Sequence, residues 1–250
     1  GSEMCIRDSL DEEHKTKYSS EYVFGTPEGL KLAVNALYAL QRYYANDTEN
    51  ATIFALERGT DLAVTNGGTG NFYGIYDPNY LKPSAYQVGF MWRTMYQIIG
   101  KANEIIAAAE DLEDTPSLRA TVSEAKCFRA QSYFLLYRTF DRIWLNVLPT
   151  TAENVNDPRD FHAASEKEVF DLIYEDLEYA ITNLDWVSDE AGRFTQAAAR
   201  HMKAKAALWL KDWDTTLEQV EEIEKSGHFD LIALNEVFNA RDLNLSLIHI

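Results

Sequence analysis

The sequence predicts a mainly α, all-α fold: stacked helix pairs with long irregular loops between some of them. Three observations carry this. Apolar residues recur at helical spacing in separate segments along the chain; hydroxyl or acidic caps and Pro or Gly breaks bound those segments; and one helix is apolar around most of its circumference. A helix of that last kind has to be covered on more than one side, which places it inside a stack and not on its rim.

The covered helix lies in the stretch Ser117 to Leu148 and is built on Glu124 to Phe140. At about 100° per residue, Glu124, Gln131 and Arg138 form one narrow polar line, while Val122, Ala125, Ala130, Tyr133, Phe134, Leu136, Tyr137 and Phe140 occupy most of the rest. Arg129 points into the apolar sector. A guanidinium does not shed its proton, so a carboxylate from this helix or an adjoining one is expected to pair with it, orienting helices rather than holding a ligand.

The other elements follow in order. Thr26-Pro27 is a helix start, and Leu30, Val34, Leu37, Tyr38 and Gln41 mark a face that fades near Asn46. Residues 46 to 87 read as a long ordered loop rich in turn formers and aromatic rings. Phe90, Met91, Met95, Ile98, Ile99, Ala102, Ile105, Ile106 and Ala109 give a helix from about Tyr86 to Leu112, stopped at Thr115-Pro116. Trp144 to Phe161 reads as irregular. Ser165-Glu-Lys-Glu168 is a capping box, with Val169, Leu172, Ile173, Leu177, Ala180 and Leu184 along the buried stripe and Glu168, Asp171, Glu175 and Glu178 on the wet side. Thr195 opens a helix from Ala197 to Lys211, and Asp212 caps another from Trp213 to Lys225, ending at Gly227.

Composition excludes some functions. The chain has 250 residues, 46% of them hydrophobic, and a formal net charge of −17. That balance argues against a nucleic-acid partner, which needs Lys and Arg to displace counterions. No stretch of about 18 apolar residues is present, so no spanning helix is expected, and Gly1 to Cys5 lacks the apolar core of a signal peptide. Cys127 reads as a small apolar filler and Cys5 as part of an unstructured terminus, so no structural disulfide is expected. Residues 1–9 and 245–250 resemble translated adaptor read-through. The expected organisation is a non-native or disordered leader (1–20), one helical domain (21–239) and an artefactual tail (240–250).

Ala204-Lys-Ala-Ala-Leu-Trp-Leu-Lys-Asp-Trp-Asp-Thr-Thr-Leu217 looks like a tetratricopeptide (TPR) unit: small residues, an aromatic, a tight turn and a second amphipathic helix. Further segments sharpen the resemblance by their order: Trp92 to Ile106, Glu124 to Phe134, Thr195 to Trp213, and Ser226-Gly-His-Phe-Asp-Leu231. Together, from about Tyr22 to Asn239, they resemble the SusD/RagB family of surface glycan-binding lipoproteins. The resemblance implies a SusD-like alpha-alpha superhelix of TPR-like pairs, in a chain about twice this length whose second half is loop-rich. It also implies a nutrient-binding protein, not an enzyme, at the outer membrane of Bacteroidota, exposed on the cell surface. Its partners would be a SusC-like TonB-dependent transporter and an oligosaccharide or peptide ligand, with membrane association only through a lipid anchor that this sequence lacks. After Phe140 the chain reads Asp141-Arg-Ile-Trp-Leu-Asn-Val-Leu-Pro149, where the family commonly has a short Gly-Asp-Val-Pro-Leu-like turn.

Sugar rings present apolar C–H faces and equatorial hydroxyls, so a glycan site calls for aromatic plates beside planar polar groups. The loop offers Tyr73, Tyr76 and Tyr80 as plates and Arg58, Asp61, Asn66 and Asn71 as hydrogen-bonding groups. These seven are the expected ligand contacts; packing of the rings onto the helices is the competing account. Asn66-Gly-Gly-Thr-Gly70 lacks the Lys-Ser/Thr of a phosphate loop. The five histidines show no ligand spacing and no serine sits in a nucleophile elbow, so no catalytic residue, metal or cofactor is expected. A TPR-type scaffold gripping a protein segment is the alternative function. A glycoside hydrolase would need a carboxylate pair that no position in the sequence singles out.

Overall fold

Thr115 caps the covered helix by accepting the Leu118 N–H, Pro116 occupies its first turn, and it runs to Thr139, where the Phe140 N–H donates to the Leu136 carbonyl. This is α4 of seven helices found among the described residues of a computed structural model, which describes 19–46, 82, 86–140, 142–151, 154–158 and 161–230. In order they are α1 (Ser20–Gly25), α2 (Pro27–Asn46), α3 (Tyr86–Ala109), α4 (Pro116–Thr139), α5 (Glu166–Asn183), α6 (Gln196–Leu210) and α7 (Trp213–Lys225). The described residues contain no strand. The fold is all-α, as the sequence predicts.

α4 is the hub. It packs against α2, α3, α5 and α6, and buries Leu118, Val122, Ala125, Phe128, Tyr133 and Leu136. At roughly 1.5–3 kcal/mol for each large apolar side chain withdrawn from water, this one helix contributes a sizeable share of the driving force. Successive helices from α2 to α6 alternate in direction. Tyr44 near the end of α2 stacks 6.2 Å from Phe90 near the start of α3; Trp92 lies 5.0 Å from Phe140, just past the end of α4; and Phe134 and Tyr137 meet Phe170 near the start of α5. The ends of α2, α4 and α6 and the starts of α3 and α5 therefore share one pole of the stack.

Local chemistry fixes the boundaries. The Ser165 capping box forms in both directions, and Thr195 and Asp212 cap α6 and α7. Lys211 takes the left-handed conformation, with φ 62°, to make the tight turn between α6 and α7, and Gly227 does so after α7 with φ 69°. Buried Ala197, Ala199, Ala204, Ala206 and Ala207 let α6 approach its neighbours closely. α1, six residues long, is an addition to the sequence reading. It rests on Gly29 of α2, where a side chain would collide with the Tyr22 carbonyl oxygen and approach Val23 Cα to 2.6 Å.

Between Arg142 and Thr151 the chain is irregular, and hydroxyl groups from the helices satisfy its backbone. Tyr96 Oη accepts the Trp144 N–H (2.9 Å) and donates to its carbonyl (2.8 Å); Tyr133 Oη does the same for Asn146 (2.7 and 2.8 Å). No described helix is long and apolar enough to cross a membrane. The expected leader (1–20) and tail (240–250) lie outside the described residues, apart from Ser19 and Ser20 at the start of α1.

Candidate binding site

Arg58, Asp61, Asn66, Asn71, Tyr73, Tyr76 and Tyr80 all lie outside the described residues. What the structure fixes is the frame around their segment: α2 ends at Asn46 and α3 begins at Tyr86, at the pole where α4 and α6 also end.

Across the stack runs the polar line of α4. Glu124, Gln131 and Arg138 are spaced by two turns, so the line extends about 21 Å at 1.5 Å per residue. One side is bordered by Tyr38 and Gln41 of α2. The other is bordered by Arg193, ahead of α6, and by Met202 and Lys205 within it.

At the Glu124 end, Glu124 and Arg193 are paired with each other. Glu124 accepts from Tyr38 Oη (2.5 Å) and from Arg193 Nη1 (3.2 Å), and the Phe194 N–H donates to Tyr38 Oη (2.7 Å). Burial, together with the adjacent Glu124 carboxylate, drives the Tyr38 phenol far above its usual range, so it stays a donor. An open hollow of about 440 Å³ lies over this group, walled by Asn35, Arg42, Glu190 and Gly192. At the other end a narrower cleft of about 130 Å³ is lined by Gln41, Gln131, Phe134, Arg138, Met202 and Lys205, over a floor that includes Met95 and Leu135.

Beneath α4's other face, Arg129 has its carboxylate. Asp176 of α5, fully buried, accepts from Arg129 Nε (2.7 Å) and Nη2 (2.8 Å) and from Lys126 Nζ (2.8 Å). Arg129 Nη1 donates to Asn103 Oδ1 (2.8 Å), whose amide continues to the Asn146 carbonyl (2.7 Å). Burial on its own would lower the Arg129 pKa, but the Asp176 pair reverses this and raises it. Every strong donor and acceptor of this cluster is committed to another, which makes it an orienting device joining α3, α4 and α5.

The described residues hold no group of three His, Cys, Asp or Glu able to bind a metal. Cys127 is fully buried, and burial, Asp176 and Glu124 push its thiol well above the usual range, away from nucleophilic thiolate. The acidic row Glu168, Asp171, Glu175 and Glu178 is exposed, as expected of a solvated face.

Sequence reasoning identified the polar line of α4 but not the groups that face it. Lys205 and Trp209 follow Met202 at i+3 and i+7 on α6, a spacing visible in the sequence that acquires meaning only once α6 lies parallel to α4.

Comparison with known proteins agrees with this architecture. The profile of a SusD-like family, described as starch-binding associating with outer membrane, matches residues 9–208. The chain belongs to that family. A SusD-like protein of Formosa agariphila is 28% identical over 242 residues, covering 90% of this chain and 44% of the relative. A solved laminarin-binding SusD-like protein is 25% identical with a TM-score of 0.67, covering 78% of this chain and 43% of that one. A SusD homolog from Bacteroides thetaiotaomicron, 20% identical, shares the fold with a TM-score of 0.70 over 86% of this chain and 44% of that chain. The chain spans less than half the length of the curated relatives it matches.

Proposed function

We propose that this chain is the helical portion of a surface glycan-binding protein that captures oligosaccharide at the outer membrane and delivers it to a SusC-like TonB-dependent transporter, without acting on it chemically. The observation that carries this reading is the family match over residues 9–208, with a laminarin-binding protein among its structural neighbours. In this reading the helices are the frame, and Tyr73, Tyr76 and Tyr80, with Arg58, Asp61, Asn66 and Asn71, are by their chemistry the plates and hydrogen-bonding groups. A surface anchor would belong to the whole protein.

The test is retention of the full-length protein in native gels cast with individual polysaccharides. Retarded migration on at least one neutral or acidic glycan, persisting in EDTA and relieved by Tyr73→Ala, Tyr76→Ala or Tyr80→Ala, is the expected result. Migration unchanged on every glycan, or insensitive to all three substitutions, would overturn the assignment.

A further inference from the structure

We propose a second subsite, on the helical scaffold itself: the cleft between the C-terminal turns of α4 and α6 takes an acidic sugar, a uronic-acid unit of an oligosaccharide. The proposal rests on the glycan-binding reading above and adds to it both a location and a ligand class.

Four observations converge on the cleft. Its volume, about 130 Å³, is close to the roughly 150 Å³ that accepts benzene, so it takes the carboxylate-bearing edge of one sugar unit and leaves the rest of the ring outside. Its two cations, Arg138 and Lys205, have no carboxylate partner among the described residues. Elsewhere in the stack Arg193 is paired with Glu124, Lys203 with Glu178, and Arg129 and Lys126 with Asp176. No Asp or Glu stands among the described residues lining it. Two planar amides, Gln41 and Gln131, face the same space. Finally, an indole stands beside the lining residue Phe134: Trp209 is 47% exposed and meets Phe134 edge-on at 6.4 Å and 89°, while the Arg138 guanidinium lies 4.7 Å above the Phe134 ring.

Each group has a chemical role toward a uronate. The indole presents a flat apolar surface for the C–H face of a pyranose, the amides suit its hydroxyls, and the guanidinium and ammonium suit its carboxylate. The net charge of −17 repels anions at long range. At physiological salt, however, that field is screened over about 8 Å, so two unpaired cations beside the ligand dominate locally. A single shallow pocket with one plate beside it favours a sugar over an extended peptide, which needs pockets repeating along its length. The cleft also sits at the pole where α2 ends at Asn46 and α3 begins at Tyr86.

Calorimetric titration of the full-length protein decides the matter, with three probes: tri-galacturonic acid, a neutral laminari-oligosaccharide and tri-glutamate. The expected result is that Arg138→Gln combined with Lys205→Met weakens tri-galacturonate by about tenfold or more, as loss of charge-assisted hydrogen bonds requires, while neutral binding and the melting temperature hold. Raising salt from about 50 to about 300 mM should weaken tri-galacturonate alone, and Trp209→Leu should weaken it without removing salt sensitivity. Neutral binding with no tri-galacturonate binding, or tri-galacturonate binding indifferent to the double substitution, overturns this proposal and leaves the general reading standing. Tri-glutamate binding as tight as tri-galacturonate and unaffected by Trp209→Leu overturns it in favour of an acidic peptide. Failure of every sugar to bind overturns both readings together.

Discussion

Replacing Asp176 by Asn removes one charge from the centre of the stack and changes the shape of the side chain hardly at all. Asp176 has no exposure, and its partners Arg129 and Lys126 are 5% and 9% exposed, so the substitution leaves two cations in a poorly solvated site without their counter-ion. Three charge-assisted hydrogen bonds of 2.7 to 2.8 Å are weakened or lost with it. Breaking a buried pair from one side typically costs about 3–5 kcal/mol, a large part of the roughly 5–15 kcal/mol that holds a domain folded. In urea, with a slope of about 2 kcal/mol per molar, the unfolding midpoint should fall by about 1.5–2.5 M. Exchanging all three residues for apolar ones of similar volume, Lys126→Met, Arg129→Met and Asp176→Leu, should recover much of the loss, because desolvation of the charges disappears with them. A midpoint shift for Asp176→Asn below about 0.5 M, corresponding to about 1 kcal/mol, would refute the reasoning that this cluster is desolvated and mutually dependent.

Three further outcomes follow from the geometry. Lys211→Gly should stabilise the chain by about 1 kcal/mol in thermal melts, because glycine adopts the left-handed turn at φ 62° without the side-chain penalty; a loss of stability would mean that the Lys211 side chain makes an important contact. Gly29→Ala should destabilise by about 1–3 kcal/mol and loosen α1, read as faster amide exchange over residues 20–25, since its Cβ would collide with the Tyr22 carbonyl. Burial raises the pKa of the Tyr38, Tyr44 and Tyr133 phenols above that of an unfolded tyrosine, so their contribution is intact below pH about 10 and is lost as pH rises beyond it. Each costs about 1.4 kcal/mol per pH unit there, so circular dichroism and phenolate absorbance should change together in one steep alkaline transition; phenols ionising while helicity persists would contradict their burial.

How much of this was legible beforehand depended on whether a feature was local. Thr26-Pro27, Ser165 with Glu168, Thr195 and Asp212 mark helix starts through contacts within one turn, and each start forms in the structure; Thr115-Pro116, read as a stop, also caps the next helix. The need for a carboxylate beside Arg129 was equally legible, since a guanidinium on an apolar face has no other stable outcome. The identity of its partner was not. Asp176 lies at i+7 from Val169 and i+3 from Ile173, on the buried stripe of α5, but it is flanked by acidic Glu175 and Glu178, which face water. α1 escaped because six residues are too few to display a period. The bracing of 142–151 by the Tyr96 and Tyr133 hydroxyls depends on residues 13 and 48 positions apart, beyond any local pattern. For the site, the polar line of α4 was visible, whereas its alignment with Gln41 and Lys205 arises from how the helices stack. The seven loop positions rest on residue chemistry and family resemblance, and lie outside the described residues.

The central claim, that a helical stack frames a sugar-binding segment at residues 58–80, is tested most directly by hydrogen–deuterium exchange of the full-length protein with and without a bound oligosaccharide. The account predicts slowed exchange in peptides spanning 58–80, joined by 131–138 and 202–209 when the sugar carries carboxylates, while the centre of α4 around Phe128 stays equally protected in both states. Saturating sugar that slows exchange only in regions other than these would contradict it.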